Sequence, residues 1–202
     1  MNKIKIILIV LITLVATLLN AQHENAGEYG FQVLEISNSP AMSGMGDTGA
    51  LVTDDALNFL SNPAAGLFNR SRIVTISQSF WLADTNIISG GYSINKRKSH
   101  WGFAFTHLGY GTLDTRDEAG NIIGEFSPMD FVGTVNYALR FGASHYFGIN
   151  GNILYEKIST ASSYGFSTDL GYVWSTPLKD VKFYSTLKNF GTTSKMDKEK
   201  ID

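Results

Sequence analysis

Gly44-Met45-Gly46-Asp47-Thr48-Gly49 has the spacing of a dinucleotide-binding fingerprint, in which glycines let the backbone approach a pyrophosphate seated on a helix N-terminus. That chemistry needs a buried strand before the glycines and a helix after them. The preceding Ser37-Asn38-Ser39-Pro40-Ala41 is no such strand, so the glycines read as permitting tight backbone turns. Asp47, Asp54 and Asp55 could offer carboxylates to a hard cation, but nothing suggests a fourth ligand. Thr53-Asp54-Asp55 before Ala56-Leu57-Asn58-Phe59-Leu60 reads instead as an N-cap, with acids at the positive end of one or two helical turns that stop at Pro63. His23, His100, His107 and His145 have no ligand spacing; His100 and His145 open strands and are expected at a membrane interface. No serine sits in a nucleophile elbow and there is no Cys. The chain is therefore read as a non-enzyme, with no catalytic, cofactor-binding or metal-binding residue assigned.

The elements that would hold these residues begin with an export signal. Lys3 and Lys5 precede an apolar run from Ile6 to Leu19, ended by Asn20-Ala21-Gln22. This is the pattern of a signal peptide, 1–21, cleaved after Ala21. Its removal takes away two of 16 basic residues and none of 18 acidic ones, leaving 14 − 18 = −4. Nucleic-acid binding thus has no electrostatic support. Residues 22–71 lack period-two order.

From Arg72 onward the period is two. Phe147, Ile149, Ile153 and Tyr155 alternate with Gly148, Asn150, Asn152 and Glu156; Tyr164, Phe166, Leu170, Tyr172 and Trp174 alternate with Gly165, Ser167, Asp169 and Gly171. Seven strands are expected, near 72–81, 86–95, 101–115, 121–140, 145–157, 163–174 and 180–190. A soluble sandwich also alternates. The spacing of the aromatics favours a membrane: Tyr164 and Trp174 stand roughly 25 Å apart on a tilted strand, the separation of two aromatic girdles. The fold expected is an antiparallel outer-membrane β-barrel, with strands in 72–191 and the covering lipid as a first partner. Asn150, Asn152, Glu156 and Asp169 would face the lumen, along with Thr106 and Ser167, because a carboxylate toward lipid costs a few kcal/mol. Turns at 96–99, 141–144 and 175–179 would be periplasmic. The excursion from Tyr110 to Phe126 would be an extracellular hairpin, with Asp114, Arg116, Asp117 and Glu118 at its tip.

The segment from Gly30 to Leu67 carries Phe31-Gln32-Val33-Leu34-Glu35-Ile36, Gly44-Met45-Gly46, Asp54-Asp55-Ala56 and Asn62-Pro63-Ala64-Ala65-Gly66. Together with Gly109-Tyr110-Gly111-Thr112, Gly151-Asn152-Ile153, Asp169-Leu170-Gly171 and Lys188-Asn189-Phe190-Gly191, it resembles the PorV/PorQ family of outer-membrane proteins, related to the FadL transporters and closest to PorQ. The resemblance implies a fourteen-stranded barrel with a plug formed by 22–71. It also implies partners among cargo or machinery proteins of type IX secretion; the alternative is FadL-like transport of hydrophobic small molecules. Asp54, Asp55, Asn62, Pro63 and Ala64 would hold the plug to the wall. Oligomeric state is left open.

Seven strands would be about half of such a barrel, and 192–202 reads as a loop leading to missing strands. Reading the DNA beyond the codon for Asp202 is expected to show further alternating segments ending in an aromatic residue; a stop codon with no downstream frame would refute the expectation.

Overall fold

The computed structural model describes residues 31–47, 53–81 and 84–194. The signal peptide, the start of the plug segment, Thr48 and Gly49 of the glycine motif and the end of the 192–202 loop lie outside the described residues. The fold is all-β, and no helix among the described residues is long and apolar enough to cross a membrane.

Nine strands form. They are β1 (Arg72–Phe80), β2 (Asn86–Asn95), β3 (Ser99–Gly109), β4 (Leu113–Arg116), β5 (Ile122–Phe126), β6 (Met129–Phe141), β7 (His145–Ile158), β8 (Ala161–Ser175) and β9 (Lys182–Thr193). Seven make one sheet of order β1-β2-β3-β6-β7-β8-β9, with every pairing antiparallel. β4 and β5 make a separate two-stranded sheet.

Two expected strands, 101–115 and 121–140, are each broken. Gly111 turns the chain at φ +76°, a conformation that favours glycine, and Pro128 interrupts the return. The Tyr110 N–H donates to the Pro128 carbonyl at 3.1 Å, closing the neck of the excursion. The hairpin is thus a distinct element, not an extension of the long strands. At the other end of the chain, Thr192 and Thr193 still pair with Phe166 and Gly165, so β9 runs two residues into the segment read as a loop.

The two faces of the large sheet differ in chemistry. On the bare face, Val74, Ile76, Phe103, Phe105, Phe131, Ile153, Phe166, Leu170 and Trp174 are all exposed, Ile76 by 78%. Monomeric soluble proteins rarely leave contiguous apolar patches beyond a few hundred Å². Rings gather at both ends of this face: Tyr155 against Tyr164 (centroids 5.0 Å apart) toward the hairpin, and Phe147–Tyr172 (5.0 Å) and His145–Trp174 (6.4 Å) toward the opposite turns.

The other face is covered by residues from 31–47 and 53–69. Near the hairpin end Phe31 and Val33 pack on Ile87, Leu108, Val132 and Leu154. Toward the opposite end, the register partners Gly148 and Gly171 lie under Asn62-Pro63-Ala64, so that a Cβ at Gly148 would overlap the Pro63 carbonyl. Gly102 lies against the Phe59 ring in the same way.

The seating of Pro63 on two glycines predicts a position-specific cost. Gly148→Val should destabilise the protein by about 1–3 kcal/mol through overpacking, whereas Gly151→Ala, whose Cβ meets only a Phe166 ring carbon at 4.0 Å, should be near neutral. Urea titration in detergent, followed by tryptophan fluorescence, checks the pair; equal effects would mean that the segment does not seat on Gly148.

Candidate functional site

The covered face is built in registered rows. Ser93, Gly102, Asn136 and Asn150 lie opposite one another on β2, β3, β6 and β7, and Asn150 pairs with Asp169 on β8. One row toward the hairpin lie Thr134, Asn152 and Ser167. Strand alternation alone turns all of these to one side.

Hydrogen bonds join the rows into one network. Asn136 Nδ2 donates to Asn150 Oδ1 (2.6 Å), and Asn150 Nδ2 donates to Asp169 Oδ2 (3.0 Å). Asn152 Nδ2 donates to the same carboxylate oxygen (3.1 Å), while Asn152 Oδ1 accepts from Thr134 Oγ1 (2.8 Å). Between Thr168 and Leu170 the β8–β9 register shifts, and Asn189 adopts φ +64°. The Asn189 N–H points to Asp169 Oδ1 at 2.9 Å. Asp169, 3% exposed, is held by three N–H donors and, among the described residues, by no basic side chain, an arrangement that tolerates a buried carboxylate.

The same side chains satisfy the irregular backbone above them. Asn136 donates to the Pro63 carbonyl (2.9 Å), Asn150 to that of Phe59 (3.0 Å), and Asn95 to those of Gly66 and Asn69. Asn38 Oδ1 accepts from Thr106 Oγ1 (2.9 Å) and Ser89 Oγ (3.2 Å). A buried loop without a ladder needs such partners for its carbonyls and N–H groups.

Of the residues expected to hold the plug, Asn62, Pro63 and Ala64 are brought together against β6–β9. Asn62 Oδ1 accepts the Ala64 N–H (2.9 Å), and its Nδ2 reaches Thr186 Oγ1 (2.8 Å) and the Ser185 carbonyl (3.0 Å) on β9. The capping of a helix by Asp54 and Asp55 is corrected. The helical turn at Asn58–Leu60 starts after Leu57 with no side-chain cap. Asp55 Oδ1 accepts the Leu57 N–H (2.9 Å), its other oxygen takes the Ser39 hydroxyl, and Asp54 lies at φ +67°, in an exposed ion pair with Arg70 (2.9 Å). Gly44-Met45-Gly46-Asp47, the described part of the glycine motif, follows a short helix, Pro40–Ser43: Gly44 N–H returns to the Pro40 carbonyl and Asp47 N–H to that of Met42. These returns make a helix stop.

Asn150, Asn152 and Asp169 meet in the network; Glu156 shares their face but stands apart, half-buried beside its register partner Asp130. On the hairpin, Asp114 and Arg116 form an ion pair (2.7 Å), and Glu118 is exposed. Asp117 closes the turn. The Asn121 side chain, the Asn121 N–H and the Ala119 N–H bond its carboxylate and hold it below the usual range. That contribution is full above the ordinary carboxylate pKa and fades as pH falls through the lowered value.

His100 is also corrected. It is fully buried, not interfacial, with Nε2 on Ser93 Oγ (2.7 Å), Nδ1 on Asn136 Oδ1 (2.7 Å) and Gly66 packed over its ring. Sequence reading also missed Asn136 and the pair Asn58 and Asn69, in which Asn58 Nδ2 donates to Asn69 Oδ1 (2.8 Å) and Asn69 Nδ2 to the Asp55 carbonyl (2.9 Å). Alternation of Asp130, Thr134 and Asn136 with Phe131, Val135 and Tyr137 would have found the first; nothing local marks the other two. Among the described residues no group of three His, Asp or Glu side chains could hold a metal ion.

Cavities follow this polarity. Beside the network, a space of about 30 Å³ is lined by Val33, Asn38, Thr134, Asn152 and Asp169. A larger groove of about 400 Å³ lies between Tyr137, Phe147, Ile149, Leu170, Tyr172 and Leu187, on the bare face. No protein-family model matches this chain, and no curated protein matches it.

The network predicts an order of mutational cost. Asn62→Ala leaves the buried Ala64 N–H unpaired and should cost about 1–3 kcal/mol; Asp169→Asn places an amide donor among three donors and should cost at least as much. Asp54→Asn breaks only an exposed pair and should cost about 1 kcal/mol or less. Denaturant midpoints of the three variants give the order, and a dominant Asp54 effect would overturn it.

Proposed function

We propose that this chain belongs to an outer-membrane β-barrel whose lumen is plugged by residues 31–69, and that the protein serves protein secretion. The observation that carries the reading is the inversion of the sheet: apolar side chains on the bare face and a hydrogen-bonded polar network on the covered one. In lipid, the bare face needs no further protein cover, and the ring pairs at its two ends suit the two interfaces. The export signal read in the sequence fits that location.

The PorV/PorQ resemblance supplies the secretion role, with cargo or machinery proteins as partners. The geometry favours it over FadL-like transport. A fatty-acid route needs an apolar path or pocket; the space of about 30 Å³ beside the network mixes Val33 and Val132 with Asn152 and Asp169, and the space of about 290 Å³ adjoining it is lined by Glu35, Asp47 and Lys188 among others. The hairpin, with Asp114, Asp117 and Glu118 exposed or half-exposed beyond the sheet, offers a charged surface suited to a protein partner.

Deleting the gene in its host is the test. Loss of surface display of secreted proteins is expected, with the protein itself recovered only from detergent-extracted outer membrane. Normal secretion with impaired uptake of a hydrophobic compound would overturn the secretion role, and a soluble periplasmic protein would overturn the membrane reading.

A further inference from the structure

We propose that Asp130 and Glu156 bind a partly hydrated divalent cation at the hairpin end of the covered face. The two are register partners on β6 and β7, so their side chains emerge side by side on one face. Asp130 is 1% exposed. Its Oδ2 accepts the Tyr110 hydroxyl at 2.9 Å, but its Oδ1 is buried with no partner. The ion pairs among the described residues, Arg70–Asp54 and Arg116–Asp114, involve neither carboxylate.

Like charges placed opposite each other across two strands repel, and a buried carboxylate oxygen without a donor carries the full desolvation cost. The neighbours give no relief: Ile87 and Leu108 continue the row on one side, and Ser163 on the other spends its hydroxyl proton on the Ser194 carbonyl (2.9 Å). The donor set is oxygen only, two carboxylates with a phenol hydroxyl beside them. That set suits Ca²⁺ or Mg²⁺, which accept carboxylate oxygens and keep water in the remaining positions. Asp169, by contrast, has three N–H donors and needs no ion. The cation would tie β6 to β7 beneath the Tyr110 neck, where the hairpin leaves the sheet.

The test uses the full chain refolded in detergent at pH 7.5. Tyrosine-sensitised Tb³⁺ luminescence, with Ca²⁺ and Mg²⁺ as competitors, should report one site of about 10⁻⁴–10⁻³ M for Ca²⁺, the range of extracellular sites. Asp130→Asn and Glu156→Gln should each weaken it at least about tenfold, while the hairpin double variant Asp114→Asn with Asp117→Asn should leave it unchanged. Should either site variant fail to fold, the wild-type protein alone decides: its urea midpoint should rise with Ca²⁺ or Mg²⁺. No shift at about 10 mM cation, some ten times the weakest expected affinity, would mean that the pair holds a proton only. Loss of binding in the hairpin variant would place the ion elsewhere. Either result overturns the proposal, and neither bears on the secretion role.

Discussion

The covered face depends on one constraint: an irregular peptide segment lies on a sheet surface, and its backbone groups must find partners there. Sheet asparagines supply them. An amide side chain both donates and accepts, so Asn136 can serve the Pro63 carbonyl and Asn150 at once, while its own oxygen meets His100. Apolar side chains in those positions would pack better among themselves, yet would strand the carbonyls of Phe59, Pro63 and Gly66. The network is therefore a docking surface for main chain, and Asp169 anchors its far end by accepting three N–H groups.

Glycine placement follows from the same constraint. Side chains long enough to reach backbone carbonyls need the backbone itself to come close, and Gly148, Gly171 and Gly102 remove the Cβ atoms that would hold it away. Close approach costs strand propensity, which the long antiparallel ladders on both sides offset. At the hairpin end the logic changes to ordinary burial, with Phe31 and Val33 over Ile87, Leu108, Val132 and Leu154. One end of the segment is thus fastened by directional bonds and the other by shape.

Much of this was legible from alternation. The parity of β7 and β8 placed Asn150, Asn152 and Asp169 on one side and the aromatics on the other, because the pleat leaves no choice. Strand ends were less legible. Alternating residues continue through Leu113 and Thr115, and the break lies in a backbone angle at Gly111 that side-chain pattern does not encode. The Asp54-Asp55 cap failed for a related reason: the residues have capping chemistry, but Asp55 found Ser39 and the Leu57 N–H, and no regular helix follows. His100 was out of reach of local reading, since its place depends on Asn136, 36 positions along the chain. Asn62 accepts a local backbone N–H, that of Ala64, while its bonds to β9 span 123 and 124 positions.

The hairpin of β4 and β5 has a different relation to the rest of the chain. Among the described residues its strands pair only with each other; it crosses to the sheet through a neck closed by Tyr110 and Pro128, and is stapled at its tip by Asp117 and Asn121. A residue in the asparagine network answers to two or three partners at once, so nearly any exchange there disturbs its neighbours. Beyond the neck, a side chain such as Glu118 or Ile123 answers only to what it meets outside. Sequence in this hairpin is therefore free to drift, lengthen or accept an inserted epitope while the sheet keeps its shape, and whatever selection acts on it comes from the surroundings of the molecule rather than from its folding.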